Sequence, residues 1–72
     1  MTKLGEYLNQ KSVSKSEVSR KTGLSKARLS ELSLKESAKL RADELYLIAL
    51  AIDTKPCDML EALYGDSKIK FD

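Results

Sequence analysis

Hydrophobic residues recur along this chain at helical spacing, in separate stretches divided by turn residues. Leu4 and Leu8 lie one turn apart with Tyr7 beside them, which predicts a first helix over residues 3–11 with Thr2 as its cap. Gly5 weakens this helix by ~1 kcal/mol relative to alanine. It reads as a tolerated surface glycine rather than as a point of close backbone approach. A second helix is predicted over 15–22 and a third over 26–33. On the third, Leu29 and Leu32 point one way, and Ala27, Ser30 and Glu31 point the other, flanked by Lys26 and Arg28. Residues 34–40 have no period and read as a loop. A fourth helix over 42–53 carries Leu45, Ile48, Ala49 and Ile52 on one face, with Leu40 and Leu45 able to staple its start. Tyr46, Leu47 and Leu50 lie on its other side, so either it is the central buried helix or its second face meets a partner; the central reading is the simpler. Pro56 opens a fifth helix over 56–64 with Met59, Leu60 and Leu63 inward, and Gly65 ends it.

Residues 14–34 are the most heavily punctuated. Ser14 and Glu17 form a capping box, with Val13 and Val18 as its hydrophobic staple. Gly23 can take the left-handed conformation that ends a helix, and Ser25 supplies a new cap two residues on. A helix stops, the chain turns sharply and a second helix starts, which is the helix-turn-helix pattern. The run Val18-Ser19-Arg20-Lys21-Thr22-Gly23-Leu24-Ser25, followed by Leu29-Ser30, resembles the helix-turn-helix of the lambda-repressor-like, Cro/CI-type (XRE) transcriptional regulators. Ser19 stands where that family has Ala, Lys15 where Gln is frequent, Thr22 where an apolar residue is usual, and Ser33 where Glu is common. Ile48-Ala49-Leu50-Ala51-Ile52 and Pro56-Cys57-Asp58-Met59-Leu60 resemble the family's fourth and fifth helices. The resemblance implies an all-α, compact five-helix lambda-repressor-like fold, with the helix-turn-helix at helices 2 and 3. Residues 1–65 form the domain and 66–72 a frayed tail, in which Ile69 and Phe71, alternating with Lys68 and Lys70, also fit a short dimer-forming strand.

Seventy-two residues make one domain with a small core, which argues against an enzyme with a buried pocket. With no histidine, a Ser-His arrangement is impossible, and the three isolated glycines form no phosphate-cradling loop. Asp43 and Glu44 suit a helix start on dipole grounds alone. A single cysteine, Cys57, allows no intramolecular disulfide, and no metal site or cofactor is expected. Leu45 to Ile52, the longest apolar run, is far short of the ~20 residues a spanning helix needs. No signal peptide or membrane association is expected, and the expected location is cytoplasmic.

Charge is divided unevenly. Residues 1–41 carry ten Lys or Arg against four Glu, a net +6, while residues 42–72 carry three Lys against seven acids, a net −4. The basic half holds the helix-turn-helix, as a nucleic-acid-binding face requires. The family resemblance implies sequence-specific binding of double-stranded DNA by a small transcriptional regulator, with the recognition helix, about residues 26–33, in the major groove. It places Lys26, Ala27, Arg28 and Ser30 at or near the bases. By side-chain chemistry Lys26 and Arg28 suit guanine, Ala27 a thymine methyl and Glu31 a cytosine amino group. Lys15 and Ser16 at the start of the second helix, Ser25 at the start of the third, and Lys35, Lys39 and Arg41 beyond it are the expected phosphate contacts. A homodimer through helices 4 and 5 is expected, and no small-molecule effector. The alternatives are a protein-interaction module or an antitoxin-type accessory component using the same fold.

Overall fold

The first three helices each begin at a hydroxyl that accepts one of their first N–H groups. The computed structural model describes residues 1–70. It contains α1 (Lys3–Gln10), α2 (Lys15–Thr22), α3 (Lys26–Leu34), α4 (Ala42–Ala51) and α5 (Pro56–Tyr64). The hydroxyls of Thr2, Ser14 and Ser25 accept the N–H groups of Gly5, Glu17 and Arg28 at 3.0, 3.4 and 3.0 Å. Only half of the capping box expected at α2 forms. The Glu17 carboxylate is drawn instead to Arg20 at 2.6 Å and Lys21 at 3.4 Å, two cations one turn further on. Arg41 gives α4 no side-chain cap, and Glu44 reaches back to its N–H at 2.9 Å. Pro56 sits in the first turn of α5, where its missing N–H costs nothing.

Two helix ends rest on non-glycine residues in the left-handed region: Ser12 after α1 and Asp53 after α4, both with φ 56°. Each supports the paired hydrogen bonds of a Schellman ending. Val13 N–H donates to Leu8 at 3.4 Å and Ser12 N–H to Asn9 at 3.0 Å; Thr54 N–H donates to Ala49 at 2.9 Å and Asp53 N–H to Leu50 at 3.2 Å. This turn stops α4 at Ala51, short of the expected residue 53. Gly65 closes α5 with φ −63°, so the left-handed conformation is not what ends the helix, although a β-carbon there would overlap the Glu61 carbonyl oxygen.

The helices pack in a closed circuit: α1 on α3, α3 on α2, α2 on α4, α4 on α5 and α5 on α1. Inside it lie Leu4, Leu8, Val18, Leu29, Leu32, Leu45, Ile48, Ala49, Met59 and Leu63. Leu29, Ile48, Met59 and Val18 are fully buried, each side chain contributing roughly 1.5–3 kcal/mol by leaving water. Val13, Leu24 and Leu40 pack against the edge of this core. Helix α4 is not buried all round. It lies between α2 and α5, and Tyr46, Leu47 and Leu50 stay exposed. Leu60, expected inward, is also exposed, leaving Met59 and Leu63 as the inner face of α5.

The start of α1 is sewn to the end of α3. Thr2 N–H donates to the Ser33 carbonyl at 2.9 Å, and the Thr2 hydroxyl lies 2.7 Å from the Leu32 carbonyl and 3.0 Å from that of Ser33. Gly5 is buried in this junction and marks close backbone approach, contrary to its reading as a surface glycine. At the far end of the chain Lys3 Nζ donates to both carboxylate oxygens of Asp66 at 2.7 and 2.8 Å. Residues 66–70 form no strand and Ile69 is exposed; Phe71 of the proposed alternation lies outside the described residues. Among the described residues no helix is long and apolar enough to cross a membrane.

Candidate nucleic-acid interface

The turn between α2 and α3 is held by polar side chains at two positions that depart from the family pattern. Gly23 is left-handed, φ 81°, and donates its N–H to Ser19 at 2.9 Å. The Thr22 hydroxyl donates to the Val18 carbonyl at 2.7 Å and accepts the Leu24 N–H at 3.1 Å. Across the turn, the Ser19 hydroxyl donates to the Leu24 carbonyl at 2.6 Å. Thr22 and Ser19 therefore satisfy backbone groups that a tight turn would otherwise leave unpaired. Ser25 then caps α3 and fixes where it starts.

The core anchors α3 through Leu29 and Leu32, with Ser33 buried beside them, and this sets what faces outward. Lys26, Ala27 and Leu34 are exposed, with Ser30 and Glu31 half-buried between them. Lys15 from α2 and Arg28 from α3 itself flank this face. On one side Lys15, at the start of α2, donates to the Ser30 hydroxyl at 3.3 Å, and exposed Ser16 follows it. On the other side stands Arg28. Its Nη1 donates to Glu31 at 2.7 Å, and its Nε and Nη2 to the two oxygens of Glu44 at 2.9 and 3.0 Å. Nη2 also donates to the Lys39 carbonyl at 3.0 Å. A guanidinium has five N–H donors. Four are engaged here, leaving one on Nη1.

The Glu44 side chain is 8% exposed and that of Arg28 29%. Hydrogen bonds from Arg28 hold the Glu44 carboxyl below its ordinary range, against the opposing effect of burial. The same bonds, from Glu44 first and Glu31 second, raise the Arg28 guanidinium further above its ordinary range. Both groups are charged throughout the neutral range.

The structure thus brings together Lys15, Lys26, Ala27, Ser30 and Ser25 around the exposed start and middle of α3, with Arg28 and Glu31 beside them tied to each other. Lys35 directly follows α3, and Lys39 and Arg41 lie in the loop that Arg28 holds. Lys26, Lys35 and Lys39 make no ion pair among the described residues, whereas Arg41 pairs with Asp43 at 3.1 Å on the surface. Two residues escaped the sequence reading. The helix dipole is all that the neighbours of Glu44 offer as a reason for it, and nothing local marks it as the partner of a residue sixteen positions earlier. Leu34 lies in α3 rather than in the loop; the extra residue of helix puts it seven positions after Ala27 on the outer side, 56% exposed.

No match was found among curated proteins or among solved structures. Residues 3–63 match the family model described as the Cro/C1-type HTH DNA-binding domain. That match covers the five helices almost end to end, with the turn at Gly23 and the capped α3 in the places the motif requires, and the chain belongs to this family of DNA-binding domains.

Proposed function

We propose that this chain binds double-stranded DNA in a sequence-specific way as a small transcriptional regulator, with α3 in the major groove. The observation that carries the reading is the outer face of α3, where Lys26, Ala27 and Ser30 stand together beyond a capped start. Lys26 suits guanine O6 and N7, Ala27 a thymine methyl, and Ser30 either kind of base edge. Lys15, Ser16 and Ser25, with the N–H groups of two helix starts, hold phosphates on one side. Lys35, Lys39 and Arg41 hold them on the other. We read these as binding roles rather than catalytic ones, in a cytoplasmic protein.

Site selection from random DNA, followed by affinities at several salt concentrations, tests this. Lys26→Ala should cost ~1–3 kcal/mol on the selected site and relax preference at one base pair. Lys15→Ala, Lys35→Ala or Lys39→Ala should weaken binding to all sequences about equally and flatten the slope of log K against log salt by about 1 unit. Absence of any DNA binding at low salt would pass the fold to the protein-interaction reading.

The working form on DNA is a homodimer through the outer sides of α4 and α5. Tyr46, Leu47 and Leu50 on α4, and Leu60 and Tyr64 on α5, are apolar and 39–54% exposed. Exposed apolar residues gathered on packed helices suit a second copy of the same surface. Leu63 is buried and takes no part. Sedimentation over a range of concentrations, alone and on DNA with two half-sites, decides it; a monomer under both conditions removes the dimer.

A further inference from the structure

Arg28 occupies the third position of α3, where an arginine is well suited to reading guanine with two parallel hydrogen bonds. In this chain that capacity is already committed. Two parallel bonds need two donors along one edge, and a single Nη1 hydrogen is left. Releasing Arg28 towards a base would strand the Glu44 carboxylate, buried at the start of α4, with only the Arg41 N–H as donor.

The pair also reaches further than one bond. Glu44 accepts from Arg28 on α3 and from the Arg41 N–H at the head of α4. Arg28 in turn holds the Lys39 carbonyl, in the middle of the connecting loop. One guanidinium and one carboxylate therefore join three segments: the reading helix, the basic loop, and the helix that follows.

We propose that Arg28 and Glu44 are positioning residues for DNA recognition: their pair fixes the pitch of α3 against α4 and the distance from α3 to the loop that carries Lys39 and Arg41. Base reading then falls to Lys26, Ala27 and Ser30, and specificity depends on Glu44, which touches no DNA. This inference rests on the DNA-binding function proposed above. It separates Arg28 from the lysines in a measurable way. An arginine already neutralised by two carboxylates releases few counterions from DNA, so its loss leaves the salt dependence nearly unchanged.

The test combines nitrogen-15 NMR of the arginine Nε–H groups with affinities of Arg28→Lys, Glu44→Gln and the double variant, all checked for helicity at the assay temperature. In the wild-type protein the Arg28 Nε–H signal should exchange slowly and stay in place when free, on random DNA and on the selected site. Each single variant should lower affinity for the selected site by roughly three- to thirtyfold, and the double variant no more than the worse single, because both break one unit. Affinity for random DNA should stay within about twofold and the salt slope should not change. A Nε–H signal that moves only on the selected site makes Arg28 a base contact and overturns the proposal. So does a Glu44→Gln protein that keeps full affinity while Arg28→Lys loses it. Wild-type protein that binds no DNA at low salt defeats the function itself, and this inference with it. That result is seen before any variant is made, so the two failures are told apart.

Discussion

The backbone of Gly5 lies so close to the carbonyl of Ser33 that a β-carbon on Gly5 would overlap that oxygen. The two residues belong to α1 and α3, and the contact lets Thr2 bond the final carbonyls of α3. Alanine favours a helix over glycine, so an ordinary surface position would gain from the change. Here Gly5→Ala should instead destabilise the protein by about 1–3 kcal/mol through forced separation of the helices. Urea unfolding measures it, and a variant as stable as the wild type would show that the junction yields easily.

At Gly23 an added β-carbon would meet nothing within 4 Å, so substitution there costs only backbone strain. Gly23→Ala should lose about 1 kcal/mol and Gly23→Val more, whereas Gly23→Asn, which tolerates the left-handed region, should lose less than alanine despite its size. Thermal melts of the three variants give the order. If Val equals Asn, conformation is not what fixes the turn.

Asp53 presents the reverse opportunity. It holds φ 56° at the end of α4, with its side chain on the surface. Asp53→Gly relieves the strain and should gain up to about 1 kcal/mol, or about 4–8 °C in melting temperature for a domain of this size. A fall in melting temperature would mean that the Asp53 side chain contributes more than its conformation costs.

Glu44 predicts a pH dependence. Its folded-state carboxyl titrates below the ordinary value of 4.5, chiefly because Arg28 hydrogen-bonds its charged form. A lowered carboxyl adds stability that is fully present above the unfolded value and is lost as pH falls through the folded one. Stability should therefore drop below about pH 4.5, and Glu44→Gln should be less stable than wild type at neutral pH, with the two converging in acid. Glu17 and Asp66 are also lowered, by Arg20 and Lys3, and stay intact in the variant. Parallel curves for the two proteins down to the acid limit would exclude Glu44 as the source.

What the sequence makes legible here is local. The limits of α2 and α5, the caps Thr2, Ser14 and Ser25, and the left-handed Gly23 each follow from a few neighbouring residues, and the structure places them as expected. The end of α4 is not legible, because a left-handed aspartate at position 53 leaves no distinctive residue to read. Leu60 was misplaced because an apolar pair at 59 and 60 fits either side of a helix boundary, and only the packing of α5 on both α1 and α4 decides. Gly5 and Arg28 required knowledge of distant partners. Ser33 comes from another helix, and Glu44 lies across a loop that had no readable period. The surroundings of α3 were legible to the extent that they depend on Gly23 and Ser25, and illegible where its side chains meet α4.

The bonds that sew the turn run from Ser19 and Thr22 to backbone atoms of Val18 and Leu24, and the Ser25 cap holds the backbone N–H of Arg28. None of them uses the side chains of Lys26, Ala27 or Leu34. Those three positions can therefore be rewritten together while the frame that presents them stays put. A library randomised at 26, 27 and 34 should consist largely of folded members, and selection from it could retarget the domain without redesigning its scaffold.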